Sequence, residues 1–187
     1  MRGSPMDRYA PLRTRTIALV GLMGVGKSSV GRRLAAALDM PFRDADLEVE
    51  AAAGRSITDI FADMGEPAFR EGERRVIARL LDEPPHVLAT GGGGFINDET
   101  RRLLKARTIS VWLKTDLDVL ARRLARKDNR PLLQGKDTLA VLTELAAKRD
   151  PIYALADITV ETGDAAHNVT VDQIIQALTA YLESQPQ

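Results

Sequence analysis

Eight residues near the start of the sequence carry the sharpest chemical signal. Gly21-Leu22-Met23-Gly24-Val25-Gly26-Lys27-Ser28 fits the pattern G-x-x-x-x-G-K-[ST], after an apolar run of branched residues, Thr16 to Val20, and before helical periodicity over Ser28 to Leu38. Glycines let successive backbone N–H groups turn inward around phosphate oxygens. A helix opening near Gly26 aims the positive end of its dipole at them. Lys27 adds a point charge for β and γ phosphates, and Ser28 offers a hydroxyl ligand for Mg²⁺. Gly24, Val25, Gly26, Lys27, Ser28 and Ser29 are therefore the expected contacts of a purine nucleotide.

Asp44-Ala45-Asp46 closes a second candidate strand, Met40 to Asp44. Strand carboxyl ends face the ligand in a parallel sheet, so both carboxylates arrive beside the phosphate loop. Asp44 suits a water-mediated Mg²⁺ contact, and Asp46 can accept the proton of an acceptor hydroxyl as a phosphoryl group moves. Asp46 also fits a helix N-cap, because it directly precedes the helical run Leu47 to Ala53. The residues alone leave both readings open. Thr90-Gly91-Gly92-Gly93-Gly94 follows a third candidate strand, and glycines there let an acceptor lie against the backbone.

The elements that must position these groups follow a β-then-α rhythm. Further strands are predicted over His86 to Thr90, Thr108 to Leu113 and Asp157 to Glu161; the last two precede helices opened by Thr115 or Asp116 and running over Val171 to Leu182. Parallel neighbours need crossover connections, so the fold class is α/β: a doubly wound sheet of five parallel strands flanked by helices on both faces. Two stretches depart from the rhythm. Ala51 to Leu81 reads as helical throughout, punctuated by Gly54 and Gly65, and with the preceding turn forms a helical cap over about residues 47–81. Arg126 to Asp137, basic and polar with Pro131 and Gly135, reads as a mobile lid loop.

Composition bounds the rest. The chain of 187 residues suits one domain over 16–187, with residues 1–15, rich in arginine and holding Pro5 and Pro11, read as a flexible leader or a cloning remnant. Lys plus Arg and Asp plus Glu both number 26, which argues against non-specific binding to nucleic acid or an anionic membrane. Cysteine is absent, which excludes a disulfide framework and a thiol nucleophile and fits the cytoplasm. No apolar run approaches the ~18 residues of a membrane span.

Taken together, Gly21 to Ser28, Asp44-Ala45-Asp46, Phe69-Arg70, Gly91-Gly92-Gly93, Arg130-Pro131-Leu132-Leu133 and Arg149-Asp150-Pro151-Ile152-Tyr153 stand in the order and spacing that resemble shikimate kinase, from about Thr16 to Leu182. The resemblance implies a monomeric P-loop kinase that uses ATP and Mg²⁺ to phosphorylate the 3-hydroxyl of shikimate, on the way to chorismate and the aromatic amino acids. It implies Lys27, Asp46 and Arg130 as catalytic residues, with Arg130 closing over ATP from the lid. It places Asp46, Arg70, Glu73, Gly91, Gly92, Gly93 and Arg149 on the substrate, with the two arginines gripping its carboxylate. Glu73, three residues after Arg70, would orient that arginine or reach a hydroxyl through water. Ser28 and Asp44 serve the metal. Arg123 would stack on adenine, with Arg122 and Arg126 competing for the role, against a loop around Thr162 to Asn168.

Rival readings are a gluconate kinase of the same fold and a nucleotide-binding module without catalysis. The first lacks the combination of Arg70, the glycine triplet and Arg149. The second is disfavoured by the presence of Lys27, Ser28, Asp46 and Arg130 together. A switch GTPase or a nucleic-acid motor fits least, given neutral charge and 4% aromatics.

Overall fold

The computed structural model describes residues 7–126 and 137–186. Five strands, β1 (Thr16–Val20), β2 (Phe42–Asp44), β3 (Val87–Ala89), β4 (Thr108–Thr115) and β5 (Ile158–Thr162), form one all-parallel sheet in the order β2-β3-β1-β4-β5. The helices are α1 (Lys27–Leu38), α2 (Ala45–Ala53), α3 (Ile57–Leu81), α4 (Asp98–Arg107), α5 (Leu117–Ala125), α6 (Thr138–Tyr153) and α7 (His167–Ser184). Every residue of β1 is buried, as a central strand covered on both faces must be. Register pairs Leu19 with Ala89 on one side and Val111 on the other.

The path from β1 to β2 moves one way across the sheet, and every later crossover moves back. Right-handed connections therefore put α1 on one face and α3, α4 and α5 on the other. Helix α7 returns to pack on α1. Strand β1 lies where these directions diverge, and the loop after it opens into the crevice that such a divergence creates.

Several boundaries differ from those read in the sequence. Strand β4 continues through Lys114 and Thr115, because these polar residues pair in register with Glu161 and Thr162 of β5. Helix α6, whose limits the sequence leaves open, runs through Pro151 to Tyr153. The fully buried Tyr153 anchors its last turn. Residues 51–81 are two helices: Gly54 adopts a left-handed C-cap and Ser56 caps α3 through the N–H of Asp59. Helix α3 is itself broken at Gly65, at φ 83° and ψ 171°, two residues before Pro67. Beyond the break Phe69, Val76, Ile77 and Leu80 join the main core, to which the part before the break contributes Ile60. Of the segment read as a leader, Asp7–Thr14 forms a 3₁₀ helix whose Leu12 is buried in the same core. No helix among the described residues is long and apolar enough to cross a membrane.

Candidate active site

The loop between β1 and α1 is shaped by left-handed glycines, with Gly24 at φ 84° and Gly26 at φ 93°. Gly26 is the N-cap of α1 and offers no side chain to its first turn, so the leading N–H groups and the dipole's positive end open straight into the loop. Lys27 folds back over it, its Nζ donating to the carbonyls of Gly21 at 2.6 Å and Leu22 at 3.0 Å. A cavity of about 200 Å³ begins here and brings Lys27, Ser28, Asp44, Asp46, Gly91 and Gly92 onto one lining.

The two strand-end aspartates divide their work. Asp44, not Asp46, is the N-cap of α2: its Oδ1 accepts from the N–H groups of Asp46 at 3.0 Å and Leu47 at 3.3 Å. Its other oxygen accepts from Ser28 Oγ at 2.5 Å, tying the strand end to the phosphate loop. The capping role open to Asp46 in the sequence thus belongs to its neighbour, because the helix begins at Ala45, two residues earlier than its apolar periodicity suggests. Burial raises the pKa of Asp46, the Asp44 charge raises it further, and Lys27 draws it back.

The glycine run after β3 is the meeting point of four charged side chains. A Cβ at Gly91 would stand 2.6 Å from Asp46 Oδ1 and 3.3 Å from Glu73 Oε2; one at Gly92, 3.6 Å from an Arg149 nitrogen; one at Gly93, 2.6 Å from Arg70 Cζ. Arg70 Nη1 donates to Glu73 Oε1 at 2.9 Å, and the ring of Phe69 lies 5.1 Å beneath the guanidinium. Glu73 is 1% exposed, and its Oε2 has no hydrogen-bond partner among the described residues. Burial pushes its pKa up against the pull of Arg70. Arg149 Nη1 donates to the Gly92 carbonyl at 3.3 Å, and the Tyr153 hydroxyl donates to the same oxygen. Gly94 closes the turn through its N–H to the Gly91 carbonyl at 3.2 Å.

On the far side of the phosphate loop, Arg123 donates to the Gly163 carbonyl at 3.0 Å and lines a second cleft of about 410 Å³ with Gly24, Gly26, Ser29, Arg126 and His167. Arg122 turns away to pair with Asp164 at 3.2 Å, which leaves Arg123 and Arg126 facing the cleft. Arg130 lies outside the described residues. A roomier cleft of about 620 Å³ at the ends of β4 and β5 is lined by Asp150 and Asp164 but by none of Lys27, Asp44, Asp46, Arg70, Glu73 and Arg149. The sequence assigns no role to Tyr153 or to the Phe61–Phe69 ring pair at 4.7 Å, and it reaches His167 only as part of the loop set against adenine. The Phe61–Phe69 contact depends on the break at Gly65, since eight residues of unbroken helix would separate the two by about 12 Å along the axis; the place of Tyr153 and His167 depends on distant loops.

The described arrangement has relatives. The family model for shikimate kinase matches residues 23–179. A shikimate kinase of Caulobacter vibrioides is 70% identical over 172 residues, covering 92% of this chain and 86% of that protein. One of Zymomonas mobilis is 56% identical, covering 95% and 99%. Among solved structures, a shikimate kinase from Acinetobacter baumannii in complex with shikimate superposes with a TM-score of 0.86 at 38% identity, covering 96% of this chain and 99% of that one. A gluconokinase from Sinorhizobium meliloti reaches a TM-score of 0.57 at 22% identity, a likeness of fold alone. Matched by the family model over residues 23–179, and by relatives and a solved structure along most of their length, the chain belongs to the shikimate kinase family.

Proposed function

We infer that the chain transfers the γ-phosphoryl group of ATP to the 3-hydroxyl of shikimate, giving shikimate 3-phosphate and ADP. The observation that carries this reading is the glycine run: Asp46, Glu73, Arg70 and Arg149 all approach it, and its Gly91 and Gly92 line the cavity that contains Lys27 and Asp46. A small cyclic acid needs planar cationic donors for its carboxylate and an acceptor for its reacting hydroxyl proton. Arg70 and Arg149 supply the first. Glu73 fixes Arg70, and the missing side chains of Gly91 and Gly93 let Asp46, Glu73 and Arg70 close on the backbone.

The backbone from Gly24 to Ser29 cradles the phosphates, and Lys27 balances the β and γ charges. The 3-hydroxyl oxygen bonds to the γ-phosphorus while the bond from that phosphorus to the β,γ-bridging oxygen breaks. ADP leaves with the electron pair, and the hydroxyl proton passes to a carboxylate oxygen of Asp46. Burial and Asp44 make Asp46 a better base than an exposed aspartate. Ser28 Oγ and Asp44 Oδ2 are oxygen donors of the type Mg²⁺ takes when substrate phosphates and water complete its shell. Ser28 would hold the ion directly and Asp44 through water; bound there, it neutralises charge on the phosphates. Arg123 is the residue assigned to adenine and Arg130 to the lid. The reading extends to a cytoplasmic monomer, on the family resemblance and the cysteine-free sequence.

An ATP-consumption assay against shikimate, quinate and gluconate tests this. Turnover with shikimate exceeding the others by at least about 100-fold in kcat/KM is expected; preference for gluconate, or no turnover with any, overturns the reading.

A further inference from the structure

Across the second cleft, Arg123 and Arg126 at the end of α5 and His167 in the first turn of α7 face Gly24, Gly26 and Ser29. The imidazole is close to the phosphate loop: its Cε1 lies 3.7 Å from where a Cβ on Gly26 would stand. Gly26 is the N-cap of α1, so a polyphosphate seated in the loop brings its negative charge against this ring. Among the described residues the charges facing His167 are positive: Arg33 from α1 and Arg123 from α5, with Arg126 on the same cleft. Partial burial first, then Arg33 and Arg123, hold its pKa below the ordinary histidine value, and the positive end of its own helix acts in the same sense.

We propose that His167, in the segment already set against the nucleotide, takes up a proton as nucleotide binds, so that affinity for ATP and ADP rises on acidification. This rests on the nucleotide-site reading above. Without nucleotide, two guanidiniums oppose the imidazolium; with it, phosphate charge favours the imidazolium. Binding and protonation are reciprocally linked, so whatever the nucleotide does to the proton affinity of His167, the proton does to nucleotide affinity.

The sequence contains only two histidines, which makes the test direct. His86 is buried at the amino end of β3, with its Nδ1 2.9 Å from the Pro84 carbonyl, and serves as the internal reference. The Cε1–H resonance of His167 is titrated by NMR with and without saturating ADP. The midpoint is expected to rise by about one pH unit, equivalent to about tenfold tighter binding of the protonated form. An unmoved midpoint while ADP shifts the Gly26 amide overturns this inference. Absence of any saturable shift at Gly26 overturns the nucleotide-site reading instead.

A second measurement compares ADP Kd values at about pH 8 and about pH 5 for wild type and His167→Gln. The terminal phosphate of ADP titrates in this window for both proteins, so the difference between them is what reports on His167. Wild type should gain close to tenfold relative to the variant on going to the lower pH; identical pH dependence of the two overturns the proposal.

Discussion

Arg70 Nη1 and Glu73 Oε1 stand 2.9 Å apart one helical turn from each other, while the second oxygen of Glu73, buried and without a partner among the described residues, faces Gly91. The pair joins a buried carboxylate to a guanidinium that lies against Gly93. Burial outweighs the attraction of Arg70 and raises the carboxyl pKa. A group whose folded pKa is raised contributes stability below its unfolded value and loses it as pH rises through the folded one.

Glu73→Gln, which has no proton to lose, should therefore melt about 2–4 °C above wild type near pH 8. The gain should shrink as pH falls and vanish below the ordinary glutamate value of 4.5. The same variant keeps an acceptor oxygen but removes the charge that holds Arg70, so KM for shikimate should rise about tenfold. Scanning calorimetry across pH and steady-state kinetics read the two effects; a lower melting temperature at high pH would show that the ion pair outweighs burial.

Gly93→Ala should displace Arg70, since the new methyl would stand 2.6 Å from its Cζ. KM for shikimate is expected to rise at least tenfold with KM for ATP within about twofold. Gly72, on α3 with nothing within 4 Å of where a methyl would stand, is the control: Gly72→Ala should stabilise by about 0.5–1 kcal/mol and leave kinetics unchanged.

Asp46→Asn keeps the shape and removes the base. It should lower kcat by about 10²–10³-fold with little change in ATP binding. In wild type the acid limb of kcat/KM for shikimate should fall at a pH above the ordinary aspartate value of 3.8, because burial and Asp44 raise the Asp46 pKa. Loss of that limb in the variant's residual activity would identify Asp46 as its source, whereas retention would assign the limb elsewhere.

Asp44→Ala should affect stability and nucleotide chemistry together. The change deletes the cap of α2, at a cost of about 1 kcal/mol in chemical denaturation. It also frees Ser28 from its 2.5 Å bond, and the Mg²⁺ concentration for half-maximal rate should rise. Asp44→Asn retains a capping oxygen and should recover most of the stability without the metal response.

The phosphate loop is legible in the sequence because its chemistry is local: glycines that admit left-handed backbone, a lysine and a hydroxyl at fixed spacing open a helix whose N–H groups have nowhere else to go. The β-then-α rhythm is legible for a similar reason, since periodicity and crossover handedness leave few topologies. Helix ends are less so. Asp44 caps α2 where Asp46 is as suitable by type, and Pro151 sits inside α6, because packing of Ala45 and Tyr153 sets those limits over local preference. The gathering of Arg70, Glu73, Asp46 and Arg149 on three glycines, and of His167 against Gly26, joins residues up to about 140 positions apart. Only the sheet order, which sets β3 beside β1 and returns α7 to α1, brings them within reach of one another.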